Sequence, residues 1–284
     1  MLTTTYEMLQ KAYEGHYAVP AINTQGGTYD IIRAVCRAAE ELRSPVILAH
    51  YVNTGAYSGH DWFYETAKWM AGKVSVPVAI HLDHGDSFER CMEMLKLGFT
   101  SIMFDGSALP VEENAAATEA VARVCRSFGV PLEAEIGELC RLDDKGNKMG
   151  ASNIADPDVV RQYLKLCHPD SLAIGIGNAH GFYNGPVDIR AEVLEECRKF
   201  TDIPFVLHGC TGMDEELVKR SIDSGVTKIN FGTQVRCQYV NYLKEGRAEG
   251  KDQGHAWRLS QYAELRLRED IKDIIRLAGS QEKA

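Results

Sequence analysis

The sequence predicts an α/β fold of the (β/α)8, or TIM-barrel, type, in a single domain spanning residues 1–284. Eight short apolar or β-branched runs recur along the chain, at an average interval of about 30 residues, the length of a βα unit. Helix-like segments with apolar residues at helical spacing separate them. Most runs are almost entirely apolar, which is typical of parallel strands covered on both faces. An open doubly wound sheet is the alternative, but such sheets seldom contain eight regular units.

Prolines mark the starts of four predicted strands. Pro45, Pro77, Pro131 and Pro204 each stand directly before an apolar run, where a missing backbone N–H removes no important ladder hydrogen bond. The eight predicted strands are 17–23, 46–50, 78–83, 101–105, 132–135, 171–175, 205–208 and 228–231.

Start and stop signals delimit the predicted helices. Asp156-Pro157 is a start signal, and Gly98, Gly129 and Gly225 are stop signals. The predicted helices are 29–42, 88–97, 111–128, 158–167, 189–200 and 214–224, with a long charged C-terminal helix at 257–277. A long polar connection at 137–156 is predicted to be a mobile loop, because loops of this length often act as lids.

Composition excludes several classes of protein. The chain is 45% hydrophobic and 25% charged, the balance of a folded protein. Its net charge of −9 argues against a nucleic-acid partner. No apolar run approaches the roughly 18 residues of a membrane span. The N-terminus has no basic or apolar signal segment, and the eight cysteines form no Cys-x-x-Cys pair. We therefore expect a cytoplasmic protein with reduced cysteines and no membrane partner.

Three His-Gly pairs stand at strand ends. Random placement of nine histidines and 25 glycines predicts about 0.8 such pairs, yet three occur, at His84, His180 and His208. They follow the third, sixth and seventh predicted strands, whose carboxyl ends meet on one face of a barrel. Any one of them alone is more typical of a hydrogen-bonded core or surface histidine. Together they predict a three-histidine metal site with an open position. The other six histidines show no such pattern, and His16, His60 and His255 are expected to be solvated.

Asp83 directly precedes the first of these histidines. A carboxylate that ends an apolar strand costs free energy unless it is paired or used. Beside a metal it could act as a general acid or base, or instead orient a histidine ligand. Strict pleating would place Asp83 and His84 on opposite faces. The prediction therefore requires the chain to leave the strand here.

The last two predicted strands run into small and hydroxylated residues. These are Gly209-Cys210-Thr211-Gly212 and Asn230-Phe231-Gly232-Thr233. Backbone N–H groups in such loops often bind phosphate at this place in a barrel, although either could be an ordinary tight turn. Lys228 lies within the last strand. A Schiff-base role and an ion pair inside the barrel are both possible for it, and its place below the strand end favours the ion pair.

Taken in order, the motifs resemble those of the class II, zinc-dependent ketose-bisphosphate aldolases, the fructose and tagatose bisphosphate family. The resemblance covers nearly the whole chain. Its motifs are Ala21-Ile22-Asn23, Ser44-Pro45-Val46-Ile47, Leu82-Asp83-His84-Gly85, Ser101 to Ser107, Glu112-Glu113-Asn114, Glu133 to Gly137, Ala179-His180-Gly181, Leu207-His208-Gly209 and Lys228-Ile229-Asn230.

The resemblance implies roles for individual residues. His84, His180 and His208 would hold one Zn²⁺ per subunit, and Asp83 would move the proton on the C4 oxygen. Asn23 matches a substrate-side asparagine. Asp105 and Glu135 match acidic positions around the metal or at an alternative metal position. The dihydroxyacetone phosphate half would be held by Gly181, Gly209, Cys210, Thr211, Asn230, Phe231, Gly232 and Thr233.

The sequence departs from the family at three places. The mobile loop normally carries a glutamate that handles the C3 proton, whereas this chain has Asp143 there, with a shorter reach. His50 and Tyr51 replace smaller residues after the second strand. Asn184 stands where some members have a phosphate-binding lysine, which the tagatose branch also lacks. These changes predict an altered aldehyde half in the substrate.

The expected activity is reversible retro-aldol cleavage of a small phosphorylated ketose to dihydroxyacetone phosphate and an aldehyde, in a homodimer or homotetramer. Co²⁺ or Mn²⁺ could replace Zn²⁺ at histidine ligands. Two alternatives stay open: a barrel metallohydrolase, and a non-catalytic aldolase-like subunit that assists a related enzyme.

Overall fold

The computed structural model describes residues 1–137, 140–142, 148–149, 154–183 and 189–284. Its strands, in chain order, are β1 (Val19–Asn23), β2 (Val46–Tyr51), β3 (Val78–Gly85), β4 (Ser101–Phe104), β5 (Leu132–Ile136), β6 (Cys140–Leu142), β7 (Lys148–Met149), β8 (Ser171–Ile174), β9 (Ala179–His180), β10 (Phe205–Leu207) and β11 (Val226–Phe231). Its helices are α1 (Thr5–Gly15), α2 (Tyr29–Glu41), α3 (Gly55–Ser58), α4 (His60–Ala71), α5 (Phe88–Leu97), α6 (Val111–Phe128), α7 (Pro157–Leu166), α8 (Glu192–Arg198), α9 (Glu215–Asp223), α10 (Thr233–Ala248) and α11 (Ala256–Leu277).

Eight parallel strands close into a barrel in the order β1-β11-β10-β8-β5-β4-β3-β2. All eight predicted strands are present in it, so the predicted (β/α)8 barrel is confirmed. Strands β7, β6 and β9 form a separate three-stranded sheet beside the barrel. None of the described helices is long and apolar enough to cross a membrane.

The barrel strands separate an apolar outer layer from a polar interior. Along β5, Leu132, Ala134 and Ile136 belong to the core beneath the helices, whereas Glu133 and Glu135 alternate with them and are buried as well. Since successive side chains of a strand point to opposite faces, the two glutamates face the barrel interior. Other strands place Lys228, Asn230, His81 and Asp83 there, so charged groups collect inside the barrel.

Helix α1 closes the amino-terminal end of the barrel. Its Met8, Leu9 and Ala12 pack with interior residues of the first three strands in a second, smaller apolar cluster. This apolar plug leaves the opposite end, where the carboxyl ends of the strands meet, as the open end.

Candidate active site and metal centre

A cavity of about 590 Å³ opens at the carboxyl ends of the strands. Its walls come from loops after several different strands, as expected for a barrel active site. The predicted residues that line it are Asn23, Asp83, His84, Asp105, Glu135, His180, Gly181, Gly209, Thr211, Asn230, Phe231, Gly232 and Thr233. The cavity therefore gathers residues that are more than 200 positions apart in the chain.

His84 and His180 line this cavity, and the buried His208 packs against His84 without lining it. One ring nitrogen of each lies within 4.8 Å of the others. The His84 ring centroid lies 5.1 Å from that of His180 and 4.7 Å from that of His208. A second group, His84 with Asp105 and Glu135, meets the same distance limit. Two possible metal positions therefore share His84.

A break in the ladder near the end of β3 turns His84 into the site. The pairing register with β4 shifts between Leu82 and Gly85, and His84 has a φ of 54°, which is uncommon for a non-glycine residue. Because of this bulge, Asp83 and His84 both line the cavity although they are adjacent in sequence. The chain leaves regular pleating at the place where the sequence argument required it.

Carboxylates orient two of the histidines. Asp105 Oδ2 lies 2.7 Å from His84 Nδ1, and Glu133 Oε1 lies 2.8 Å from His208 Nε2. Ser107 in turn donates to Asp105 Oδ1 through its N–H and its hydroxyl. Oriented in this way, His84 Nε2 is buried with no hydrogen-bond partner among the described residues. A buried orphan nitrogen within a histidine trio fits a divalent metal ion.

The electrostatics of the site are set by burial and by these carboxylates. Burial lowers the pKa of His84, but the hydrogen bond to Asp105 and the charges of Asp83 and Glu135 raise it to about 10. Burial, followed by the neighbouring His84, holds the pKa of His208 well below its ordinary value. Burial and the charge of Asp105 raise the pKa of Glu135 well above its ordinary range. In the absence of a metal, the site therefore holds protons that a cation would displace.

Asp83 is a buried carboxylate that is nevertheless favoured in its charged form. It is 7% exposed and lines the cavity, and Asn230 Nδ2 donates to its Oδ1 at 3.1 Å. Burial acts to raise the pKa of Asp83, but the His84 and His208 imidazoles, with Lys228, outweigh it and lower the pKa. An ionised carboxylate with access to the cavity is suited to accept a proton.

The two predicted phosphate loops lie side by side. Gly209 has a φ of 69°, and a side chain there would collide with the Ala179 carbonyl, so this position requires glycine. Thr211 Oγ1 accepts a hydrogen bond from Gln234 N, which lies in the first turn of α10. Helix α10 begins at Thr233, and its N-terminus is therefore positioned beside the cavity, where it favours an anion.

Cys210 departs from the predicted set. Its N–H donates to the Asn230 carbonyl at 3.2 Å, its thiol donates to the Leu207 carbonyl, and it does not line the cavity. It packs the loop instead, because both of its donor groups already have partners inside the protein.

Lys228 forms the ion pair inside the barrel that the sequence argument favoured. Its Nζ lies 3.0 Å from Glu133 Oε1 and 2.8 Å from Oε2, and it does not line the cavity. The role of Glu133 was not predicted, although two glutamates two residues apart in an apolar strand signal buried acids. Asn178 and Tyr183 were not predicted either; they hydrogen-bond to the backbone carbonyls of His208 and Gly209 and so connect the histidine loops.

Other predicted features fall elsewhere. Asp143, Asn184 and most of the predicted mobile loop lie outside the described residues. The prediction that His60 is solvated is wrong, because its Nδ1 lies 2.7 Å from His50 Nε2 and its Nε2 lies 3.0 Å from an Arg90 nitrogen. A buried histidine on β2 and an arginine on α5 supply those two partners.

Comparison with known proteins shows the family of the chain. Residues 3–283 match the family model described as fructose-bisphosphate aldolase class-II. The chain belongs to this family. Its members are lyases, so the enzyme class expected from the motifs is confirmed.

Individual relatives agree with this family assignment. The chain is 37% identical to a fructose-bisphosphate aldolase of Mycoplasma pneumoniae over 256 residues, covering 89% of this chain and 87% of that protein. The crystal structure of the YdjI aldolase from Escherichia coli K12 superposes with a TM-score of 0.88 at 30% identity, with all of both chains covered. A fructose-bisphosphate aldolase from Campylobacter jejuni, at 21% identity, shares the fold with a TM-score of 0.82, over 100% of this chain and 96% of that one.

Proposed function

We propose that this chain is a zinc-dependent aldolase that reversibly cleaves a phosphorylated ketose to dihydroxyacetone phosphate and an aldehyde. The observation that carries the proposal is the convergence of His84, His180 and His208 beside the ionised Asp83, in the cavity of a class II aldolase barrel. Family membership argues against the metallohydrolase alternative. A cavity that retains a candidate base beside the candidate metal ligands argues against a non-catalytic subunit.

The three histidines would hold the metal. Their donor nitrogens suit Zn²⁺, and a site with three protein ligands keeps a position open for substrate. When bound, the ion supplies Lewis acidity at the ketose carbonyl and stabilises the charge that develops as the C3–C4 bond breaks. Co²⁺ and Mn²⁺ are alternatives that the same ligands accept.

Asp83 would act as the base for cleavage. Its carboxylate accepts the proton of the C4 hydroxyl as the C3–C4 bond breaks, and returns that proton in the condensation direction. The hydrogen bond that Asn230 donates holds Oδ1 of Asp83 in place, which leaves the other carboxylate oxygen for the substrate. We propose that Asp143 handles the C3 proton.

The two glycine-rich loops would hold the phosphate of the dihydroxyacetone phosphate half. Gly209 and Gly232 allow the backbone to approach a ligand closely, and the start of α10 at Thr233 adds the favourable end of a helix dipole. Asn23, whose Oδ1 accepts from Gln25 N, lies beside Gly232 and lines the same cavity. Together these groups fix one end of the substrate relative to Asp83.

The other end of the cavity would set the aldehyde. Tyr51, Asn53 and Thr54 line it after β2, with Tyr51 in edge contact with His84. These neutral hydrogen-bonding groups suit a polyhydroxylated aldehyde portion. We therefore propose a phosphorylated ketose that need not be fructose or tagatose bisphosphate.

Release of dihydroxyacetone phosphate tests this proposal. A coupled dehydrogenase would report release from a panel of phosphorylated ketoses, before and after removal of metal by a chelator and after zinc is restored. We expect release that chelation abolishes and zinc restores, and that Asp83→Asn reduces strongly. Release that survives chelation would refute the metal-dependent mechanism. Robust cleavage of fructose 1,6-bisphosphate and of no other panel member would refute the altered aldehyde half.

We also propose a cytoplasmic homodimer or homotetramer. Light scattering coupled to size-exclusion chromatography gives the subunit number directly. A monomer that retains full activity would contradict this assembly.

A further inference from the structure

Glu133 and Lys228 form an ion pair that is hidden from solvent beneath the histidine trio. Glu133 is 2% exposed and Lys228 is 1% exposed. They stand on β5 and β11, which are separated in the barrel by β8 and β10, so the pair spans the barrel interior. A buried ion pair costs desolvation free energy and is often no better than an apolar pair. A contribution to stability therefore does not explain why this ion pair is buried here.

The contact to His208 supplies that reason. Glu133 Oε1 receives both Lys228 Nζ at 3.0 Å and His208 Nε2 at 2.8 Å. An ionised carboxylate only accepts hydrogen bonds. His208 must therefore carry its proton on Nε2, and a neutral imidazole then has a lone pair on Nδ1.

The surroundings of Nδ1 agree with that tautomer. Asn230 Nδ2 lies 3.2 Å from His208 Nδ1, and an amide NH₂ group can only donate. Nδ1 therefore accepts from the amide, and Asp83 Oδ1 lies 3.9 Å from it. A metal would take the Nδ1 lone pair in place of the amide hydrogen. Both ring nitrogens are assigned by partners whose hydrogen-bonding roles are fixed.

We propose that Glu133 and Lys228 are positioning residues that lock His208 in the tautomer presenting Nδ1 to the metal. Lys228 Nζ contacts both oxygens of Glu133 and holds that side chain in place, and Glu133 holds the proton on Nε2 and the ring in orientation. The proposal deepens the proposed function and rests on His208 being a metal ligand. It also gives Lys228 a task that does not involve reaction with a carbonyl substrate.

Glu133→Gln is the sharpest perturbation because it keeps the side-chain shape. Lys228 would donate a hydrogen bond to the amide oxygen of the glutamine, so the amide NH₂ group would face His208. His208 Nε2 must then accept, and its proton moves to Nδ1, where it blocks metal binding. We expect zinc affinity to fall by about 10–100-fold, the usual effect of losing a group that orients a metal ligand.

A matched control is available on the surface. Glu196 pairs with Lys199 at 2.6 Å, and both side chains are more than half exposed. Glu196→Gln makes the same chemical change without a buried partner, and zinc affinity should stay within twofold of wild type. Equal affinity of Glu133→Gln and wild type would overturn the proposal.

The tautomer itself is measured by ¹⁵N NMR of histidine-labelled, metal-free wild-type protein, with the His208 signals assigned by their loss in His208→Gln. We expect a protonated Nε2 and an unprotonated Nδ1; the reverse pattern overturns the proposal even if Glu133→Gln does not fold. A variant that loses thermal stability but keeps both the tautomer and the zinc affinity also overturns it. Failure of the wild type to bind zinc would instead count against the proposed function, since the tautomer is read without metal.

Discussion

Because of the His84 imidazole, we expect the proposed zinc binding to depend on pH in a range where ordinary histidines no longer titrate. In the metal-free protein the pKa of His84 is raised to about 10, after burial is outweighed by Asp105 and two further carboxyl groups. An ordinary histidine, with a pKa near 6.5, has already lost its proton at pH 8. A proton displaced by zinc at pH 8 therefore comes from His84, from Glu135, whose pKa is also raised, or from water that joins the ion.

The magnitude follows from the pKa. Displacing a proton held with a pKa of about 10 costs roughly 4 kcal/mol at pH 7, at 1.36 kcal/mol per pH unit. The apparent affinity for zinc should therefore rise about tenfold for each pH unit between pH 7 and 9. About one proton should leave His84 per zinc bound across this range.

Calorimetry counts these protons. Zinc titrations at pH 8 in two buffers of different ionisation enthalpy give the number of protons released. Asp105→Asn removes the strongest group that raises the pKa of His84 but keeps all three histidines, so it should release fewer protons than wild type. Water that joins the ion contributes equally to both proteins and cancels in the comparison. Asp158→Asn, a change at an exposed aspartate, serves as the control and should match wild type.

The same pKa predicts the stability of the metal-free protein. A histidine whose folded pKa is raised contributes stability that is fully present below its unfolded pKa of about 6.5 and is lost as the pH rises through the folded value. The melting temperature should therefore fall between pH 7 and 9.5 without metal, and fall less in Asp105→Asn. Equal proton counts in the two proteins, together with a zinc affinity independent of pH above 7, would refute the reasoning.

Three further changes have defined outcomes. Asp83→Asn should lower kcat/KM by about 10²–10⁴-fold with zinc affinity within threefold of wild type, and unchanged turnover would rule Asp83 out as the base. Arg236→Ala should raise KM for the phosphorylated ketose more than it lowers kcat, because Arg236 lines the cavity in the first turn of α10; an unchanged KM would exclude an anion contact. Burial acts to raise the pKa of Glu40, but hydrogen bonds from Ser75 and Val76 outweigh it and lower the pKa. Glu40→Gln should therefore lower the free energy of unfolding by about 0.5–1 kcal/mol at pH 7. That difference in urea unfolding should vanish as the pH falls through the lowered pKa, and a difference that persists at pH 2 would contradict it.

Local signals delimit the helices whose ends were predicted correctly. Helix α5 begins after Ser87, whose hydroxyl accepts from Arg90 N, and ends at Gly98 with a φ of 102°. Helix α6 ends at Gly129 with a φ of 66°. These caps depend on residues within a few positions of the helix end, so they can be predicted from the sequence.

Helices α1, α3, α4 and α10 were not predicted. In α10, Val235 and Gly246 are the only buried residues of the sixteen, so its periodicity carries little signal. Helix α4 places Trp62 and Trp69 on its exposed side, which blurs the amphipathic pattern. The predicted helix at 189–200 is shorter in the structure, at Glu192–Arg198.

Some features of the candidate site could be predicted from the sequence, and others could not. The three His-Gly pairs could be found because each stands at the end of its own strand, and barrel geometry alone brings strand ends together. The left-handed backbone of His84 could not be predicted, because the ladder shift that imposes it depends on the pairing of β3 with β4. The Glu133–Lys228 pair was equally hidden, because it joins strands that become opposed only when the barrel closes.

The candidate ligands are linked to the fold through those closure contacts. His84 is hydrogen-bonded to Asp105 of the next strand unit, and His208 is hydrogen-bonded to Glu133 across one intervening strand, β8. Each carboxylate occupies one ring nitrogen and thereby aims the other at a common point: Nε2 for His84 and Nδ1 for His208. Neither aim exists in an unfolded chain, so the free energy of metal binding is coupled to the free energy of barrel closure. The polar interior, which costs desolvation free energy, is thus the part of the barrel that would make a metal centre out of three histidines distant in sequence.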